Sequence, residues 1–178
     1  LATERLKPFG HRVALRHGRF SDALARLDGI GWETVDGALV DIGVSSMQLD
    51  TPERGFSFLH DGPLDMRMDV TGGETGQVVP PASKLVNTAS FAVLKDLIAT
   101  AGEEPLAGRI ARAIVEARDR KPIETTGELA AIVEAAYPAK WRATARNHPA
   151  TRTFQALRVA VNGEFDELRL FLERIVPR

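Results

Sequence analysis

The chain has 178 residues, of which 44% are apolar, and it contains no cysteine. This length is enough to bury the core of one domain without disulfide bonds, so disorder is excluded as its main state. Without cysteine the protein can have neither a thiolate nucleophile nor a cysteine-ligated metal site. No apolar run approaches the roughly 20 residues that a membrane-spanning helix needs, and we therefore expect a soluble, cytoplasmic protein.

Charge is distributed unevenly along the chain, although the net charge is only −1. Residues 21–70 contain ten acidic and three basic side chains, whereas residues 138–163 contain five basic side chains and no acidic one. The second stretch also contains Trp141 and His148. Such a surface can bind phosphates while an aromatic ring stacks on a base. The alternative interpretation is a basic helix end that is merely exposed to solvent.

Two apolar segments in the first quarter of the chain predict β-strands. Residues 13–17 form a short one, and residues 37–43 form a continuous apolar run that is typical of a buried parallel strand. Between them, residues 21–27 predict a helix whose first turn is capped by Ser21 and Asp22. Because two strands cannot form a sheet that is covered on both faces, either helices form most of the core or partner strands lie outside this chain.

An irregular segment, residues 44–81, separates these elements from a helical remainder. Long loops within a domain are usually functional. Within this loop, residues 54–69 carry two Phe, two Met and two Arg side chains, which could form a base-stacking or lid surface or could pack into the core.

The remainder of the chain, from residue 83, has helical periodicity. Thr125 and Glu128 predict a capping box at the start of one helix. Apolar residues spaced by three or four over residues 154–175 predict a single long amphipathic helix that begins near Pro149.

Asp41 is the main candidate for chemistry. It lies at the C-terminal end of the predicted strand 37–43, and ligands of open α/β sheets bind at that edge. Its carboxylate could accept hydrogen bonds from an amine or hydroxyl of a ligand, or it could only cap the following turn. The four histidines have no metal-ligand spacing, and the sequence contains no defensible catalytic triad or phosphate loop, so we predict no metal site.

Five runs of residues resemble the signature of the bacterial RsmH family, also called MraW. The family comprises S-adenosylmethionine-dependent methyltransferases of small-subunit ribosomal RNA. The runs are 41–50 (DIGVSSMQLD), 53–58 (ERGFSF), 61–68 (DGPLDMRM), 108–115 (GRIARAIV) and 148–158 (HPATRTFQALR).

The resemblance implies an α/β fold, namely a partial class I, Rossmann-like methyltransferase domain with a mostly helical inserted domain. We expect residues 1–82, including the loop 44–81, to belong to the methyltransferase domain. Residues 83–146 would form the helical insertion that recognises RNA, and residues 147–178 the return helix. The implied reaction is methylation of the exocyclic N4 amine of a cytidine in 16S ribosomal RNA, in the 30S subunit and with S-adenosylmethionine as cofactor.

The resemblance also implies that Phe20, Asp41 and Gln48 contact the cofactor, and we assign Asp41 a catalytic role as acceptor for the target amine. The aromatic and basic side chains that we predict to bind RNA are Phe56, Phe58, Arg109, Arg112, Arg118, Lys121, Lys140, Arg142, Arg146 and Arg152.

Family members have glycine-rich and acidic segments ahead of this region, and further strands after it, that this sequence does not contain. We therefore expect an internal piece of a longer protein that binds the cofactor poorly by itself. The alternative is a catalytically incomplete module that only binds RNA or the ribosome. A helical interaction protein without RNA is a third interpretation, and a homodimer is an open alternative for its assembly.

Overall fold

The computed structural model of the protein describes residues 2–71, 78–144 and 146–175, and in this part of the chain all regular secondary structure is helical. The α-helices are α1 (Ala2–Leu6), α2 (Ala23–Asp28), α3 (Ser46–Leu49), α4 (Ala82–Thr88), α5 (Phe91–Thr100), α6 (Ala107–Arg118), α7 (Thr126–Ala136), α8 (Ala139–Thr144), α9 (Thr151–Asn162) and α10 (Glu164–Ile175). Short 3₁₀ turns occur at Lys7–Arg12, Phe20–Asp22 and Pro52–Arg54. The residues group into two compact units, one formed by Leu1–Val40 with Phe165–Arg178 and the other by Asp41–Glu164.

The first unit joins the beginning of the chain to α10. The rings of Phe20 and Phe171 meet edge to face, with centroids 5.9 Å apart. The Arg174 guanidinium donates a hydrogen bond of 2.9 Å to the carbonyl oxygen of Ser21. Apolar contact and one charge-assisted hydrogen bond thus attach the 3₁₀ turn Phe20–Asp22 to this helix.

The second unit has a core made by α5, α6, α7 and α9. In α6 the buried side chains Ala107, Ile110 and Ile114 recur every three or four residues, which places them on one face of the helix. These buried faces follow the apolar periodicity of the sequence. The prediction that the chain is helical from residue 83 onward is therefore confirmed.

The predicted capping box at Thr125 is confirmed. The Thr125 hydroxyl accepts a hydrogen bond from the backbone N–H of Glu128, and the Glu128 carboxylate accepts one from the backbone N–H of Thr125. The Thr125 hydroxyl and the Glu128 carboxylate therefore each accept a hydrogen bond from a backbone N–H group at the start of α7 that has no partner within the helix. By contrast, neither Ser21 nor Asp22 makes the side-chain cap that we predicted for α2.

The predicted strands 13–17 and 37–43 are not seen in the structure. Both segments are irregular, and no β-strand occurs in residues 2–71, 78–144 or 146–175. Leu39 is 99% exposed and Ile42 is 51% exposed. A single apolar run cannot satisfy its backbone N–H and C=O groups without a neighbouring strand, and here no described strand lies beside it. The Rossmann-like sheet is therefore absent from the described structure.

The prediction of one long helix over residues 154–175 is wrong, because two helices occupy this range. α9 ends at Asn162 and α10 begins at Glu164. Gly163 between them has φ of +61°, the left-handed conformation that glycine adopts without steric penalty. The apolar periodicity continues through this break, so the spacing alone could not reveal it.

Candidate functional site

Asp41 lies in an exposed, irregular stretch of the second unit. Its carboxylate accepts no hydrogen bond from any residue that the structure describes. The position at the end of a strand that we expected for it is not seen, since residues 37–43 form no strand. The carboxylate is therefore solvent-accessible and available to a ligand.

Gln48 has a local structural role that the sequence signals but that we did not predict. Its side-chain oxygen accepts a hydrogen bond of 2.8 Å from the backbone N–H of Ser45. The Ser45 hydroxyl in turn accepts from the backbone N–H of Gln48, so the two residues form a capping box at the start of α3. The spacing Ser-x-x-Gln is the signature of this motif. The amide nitrogen of Gln48 is not part of the box and remains a possible donor to a ligand.

The signature run 61–68 connects the loop to α7. The Asp61 carboxylate accepts a hydrogen bond of 2.7 Å from the backbone N–H of Gly127, in the first turn of that helix. This bond and a hydrogen bond from the Thr125 side chain hold the pKa of Asp61 below its ordinary value. Pro63 and Thr125 form an isolated antiparallel bridge beside it. Residues 61–68, here called the strap, therefore connect the loop to the first turn of α7, where the Asp61 carboxylate caps a backbone N–H from outside the helix.

The end of the same run is fixed to α9. Asn162 donates a side-chain hydrogen bond to the carbonyl oxygen of Met66, and its side-chain oxygen accepts one of 2.7 Å from the backbone N–H of Met68. Met66 itself is fully buried. This part of the loop thus belongs to the packed core of the second unit.

Asp65 and Arg67 form a two-pronged ion pair within this run, with N–O distances of 2.8 and 2.7 Å. Burial alone would raise the pKa of Asp65, but the guanidinium of Arg67 and its backbone N–H hold that pKa below its ordinary value. Both side chains are therefore expected to stay charged near neutral pH.

The two phenylalanines that we predicted to stack on a base are both involved in packing. Phe56 is 7% exposed and has the Arg54 guanidinium 5.7 Å from its ring centroid, so its ring faces are not open to a base in this structure. Phe58 is half-buried, with its ring centroid 4.6 Å from that of His148 and 4.8 Å from that of Phe154. Of the two interpretations of the loop, packing into the core describes these rings.

Two of the predicted RNA-binding cations have protein partners. The Arg118 guanidinium donates a hydrogen bond of 2.7 Å to the carbonyl oxygen of Val86. Lys121 forms an ion pair of 2.6 Å with Glu128, which raises the pKa of the lysine. Contact with RNA would have to compete with these interactions.

Four other predicted cations line two cavities of the second unit. The first, here the α5–α6 cavity, has a volume of about 560 Å³. Its lining includes Phe91, Lys95, Pro105, Arg109, Arg112 and Glu116. The Arg112 guanidinium is 5.8 Å from the centroid of the Phe91 ring, a distance at which a cation is attracted to the ring face.

The second, here the α8–α9 cavity, has a volume of about 420 Å³. Its lining includes Glu104, Tyr137, Trp141, Arg146, His148 and Arg152, and Pro105 lines both cavities. Lys140 and Arg142 are exposed on α8 but are not part of either lining. The structure therefore brings Arg109 together with Arg112, and Arg146 together with Arg152, on the helical part of the chain.

Comparison with known proteins places these features in a family. The family model described as the MraW methylase family matches residues 1–177. The ribosomal RNA small subunit methyltransferase H of Oleidesulfovibrio alaskensis is 64% identical over 177 residues, which are 99% of this chain and 53% of that protein. The protein of that name from Lawsonia intracellularis is 53% identical over 176 residues, 99% of this chain and 55% of its own length.

The chain therefore belongs to the MraW methylase family, as the resemblance of its sequence runs predicted. It spans about half the length of the curated relatives that it matches. Among the described helices, none combines the length and the apolar character that crossing a bilayer requires.

Proposed function

We propose that this chain is part of an S-adenosylmethionine-dependent methyltransferase that acts on the exocyclic N4 amine of a cytidine in small-subunit ribosomal RNA, in the 30S subunit and in the cytoplasm. The observation that supports this proposal is the 64% identity, over 99% of the chain, to a protein named ribosomal RNA small subunit methyltransferase H. The family match defines a methylase, and the finer assignment of cofactor, atom and base is our inference.

The residues that would hold the cofactor are Phe20, Asp41 and Gln48. The chemistry of Asp41 and Gln48 fits the group, because the two residues supply an exposed carboxylate acceptor and an amide nitrogen that the α3 capping box leaves available. The ten acidic residues of the stretch 21–70 favour the approach of a cationic sulfonium compound. When bound, S-adenosylmethionine supplies the methyl group.

Asp41 is the residue to which we assign the activation of the amine. The N4 nitrogen of cytosine is a poor nucleophile, because its lone pair is delocalised into the ring. A carboxylate that accepts a hydrogen bond from the amine favours a pyramidal nitrogen with a localised lone pair, and as a general base it would take up the proton that N4 loses when it gains the methyl group. In the alternative, Asp41 binds only the adenosine part of the cofactor.

The predicted domain division supports this assignment of roles and remains part of the proposal. Residues 1–82 and 147–178 would serve the cofactor, and residues 83–146 would serve RNA. The α5–α6 cavity lies within residues 83–146, and its lining contains three cations and one carboxylate. Phosphates of the substrate would bind along such basic surfaces, whereas the acidic stretch would repel them.

The test is a chimera in which this chain replaces the matching segment of the Oleidesulfovibrio alaskensis relative. We expect it to transfer labelled methyl groups from S-adenosylmethionine to 30S subunits. Asp41→Asn should reduce turnover by a much larger factor than it reduces cofactor affinity, whereas Asp36→Asn, another exposed aspartate, should change neither. Normal turnover of the Asp41→Asn chimera would refute the amine role, and a loss of turnover fully explained by weaker cofactor binding would limit Asp41 to the cofactor.

A second function, an RNA-binding helical module without catalysis, is favoured by one observation. Both cavities and their cations lie in the second unit. Their linings do not include Phe20, the proposed cofactor residue of the first unit. An active chimera excludes this function, whereas RNA binding by the chain together with an inactive chimera supports it.

A further inference from the structure

The α8–α9 cavity has the size of a site for a small ligand or for one residue of a polymer. Its volume of about 420 Å³ is within the roughly 300–1,000 Å³ that such sites occupy. Its walls come from the turn that precedes α6, from the end of α7, from α8 and from the beginning of α9. Of these elements, α9 is anchored in the core through Phe154 and Leu157.

A buried carboxylate forms the inner wall of the cavity. Glu104 is 3% exposed, and it accepts hydrogen bonds from the backbone N–H of Leu106 and from the Tyr137 hydroxyl. Both carboxylate oxygens are therefore occupied by protein donors. A buried charge is screened less by solvent than an exposed one, so an anion in this cavity is favoured beside the guanidinium groups of its lining and not beside Glu104.

Two guanidinium groups line the cavity on the side of α9. Arg152 donates one hydrogen bond of 3.0 Å to the carbonyl oxygen of Glu103, which fixes its direction and leaves other N–H donors. Arg146 is exposed. The N–H donors of a guanidinium group match the oxygens of a phosphate group.

Aromatic rings line the same cavity. Trp141 is 48% exposed, so part of its indole is open to solvent. The His148 ring is fixed by its contact with Phe58 and by the backbone N–H of Ala150, which donates to the Nδ1 atom at 3.1 Å. An exposed indole beside two guanidinium groups is the combination that binds a base by stacking and its phosphate by charge.

We propose that the α8–α9 cavity binds one unpaired nucleotide of an RNA strand, with the base stacked on Trp141 and the adjacent phosphate on Arg146 and Arg152. The proposal rests on the proposed function in that RNA is the substrate, and it adds a nucleotide site that does not include Asp41. An acidic peptide is the competing occupant. It would use the guanidinium groups but would gain nothing from an aromatic face.

The experiment uses the whole chain with Trp32 replaced by phenylalanine. The protein has two tryptophans, so Trp141 is then the sole indole and its fluorescence reports on the cavity. Titration with a ten-nucleotide single-stranded RNA should quench this fluorescence in a saturable way. A polyglutamate peptide of equal charge should not quench it.

Variants at the cavity separate stacking from charge. In the protein that retains Trp32, Trp141→Ala should weaken RNA affinity about 5- to 150-fold, the range for the loss of one stacked base. Trp141→Phe should retain most of that affinity. Arg146→Gln should lower the slope of log affinity against log salt by about 0.7, the value for one lost phosphate contact on a single strand. Arg5→Gln, at an exposed arginine of the first unit, should leave that slope unchanged.

Equal affinity of the Trp141→Ala and Trp141→Phe variants would overturn the proposal, and so would quenching by the peptide or an unchanged salt slope of Arg146→Gln. Circular dichroism of each variant verifies the fold. The two proposals fail separately. An active chimera with no quenching rejects the nucleotide site alone, whereas quenching with an inactive chimera rejects the methyltransferase assignment alone.

Discussion

Tyr137 donates its phenolic hydrogen bond to the buried carboxylate of Glu104, and this contact joins the end of α7 to the turn that precedes α6. Burial and then the neighbouring carboxylate raise the pKa of Tyr137 above its ordinary value of 10.0. The pair thus links the stability of the helical core to the shape of the α8–α9 cavity.

Ionisation of Tyr137 should be measurable without interference, because the chain has a single tyrosine. In the folded protein the near-ultraviolet absorbance of tyrosinate should develop at higher pH than in urea. Since the folded-state pKa is the higher one, this residue's contribution to the free energy of unfolding is complete below pH about 10 and is lost as the pH rises further. Tyr137→Phe should abolish the absorbance change. Identical titration midpoints in the folded and unfolded protein would contradict the contact.

Two fully buried threonines should respond in opposite ways to replacement by valine. The Thr153 hydroxyl has no hydrogen-bond partner among the described residues, so Thr153→Val should leave the free energy of unfolding unchanged or raise it by up to about 1 kcal/mol. The Thr126 hydroxyl accepts a hydrogen bond of 3.1 Å from the backbone N–H of Gly62, and Thr126→Val should lower that free energy by about 1–3 kcal/mol. Urea denaturation measures both values, and a larger loss at Thr153 than at Thr126 would refute the assignment.

Replacement of glycine by alanine should distinguish the break between α9 and α10 from a position with helical backbone. Gly163 has φ of +61°, and Gly163→Ala should destabilise the protein by about 1–2 kcal/mol. Gly108 lies in the first turn of α6, where an added Cβ would meet no described atom outside the helix within 4 Å, so Gly108→Ala should stabilise the protein by at most about 0.5–1 kcal/mol. Thermal unfolding of both variants provides the comparison. Stabilisation by Gly163→Ala would indicate a continuous helix instead.

Asp61 should make stability depend on acid pH. Its folded-state pKa is lowered by the backbone N–H of Gly127, so its contribution is present above the ordinary aspartate pKa and is lost as the pH falls through the folded value. The difference in free energy of unfolding between the native protein and Asp61→Asn should therefore shrink on acidification from neutral pH to about pH 3. A difference in free energy of unfolding that stays constant with pH would show that the hydrogen bond between Asp61 and Gly127 does not stabilise the folded protein.

Local signals in the sequence predicted several features correctly. The spacing of Thr125 and Glu128 identified a capping box, because both partners lie within one turn of helix. The spacing of Ser45 and Gln48 contains the same signal, which a search for this motif would have found. Apolar periodicity identified the buried faces of α5, α6 and α9 for the same reason, since burial repeats with the helical period.

Features that depend on distant partners were not predictable in this way. The run 37–43 has the composition of a buried strand, yet a strand also requires neighbours, and no described residue supplies them. The contacts of Asp61 with Gly127 and of Met66 with Asn162 join residues more than sixty positions apart, so no local pattern identifies the loop as a strap. The two cavities likewise depend on helix packing, although four of the five Lys and Arg residues in their lining, all but Lys95, were among the predicted RNA-binding residues.

Methyl transfer to one cytidine can be measured in the nucleosides of 30S subunits that have been treated with the chimera. After incubation with S-adenosylmethionine and the chimera, mass spectrometry of digested small-subunit RNA should detect N4-methylcytidine, in an amount that approaches one per subunit. A methyl group on another base, or no modification while the parent relative remains active, would contradict the account.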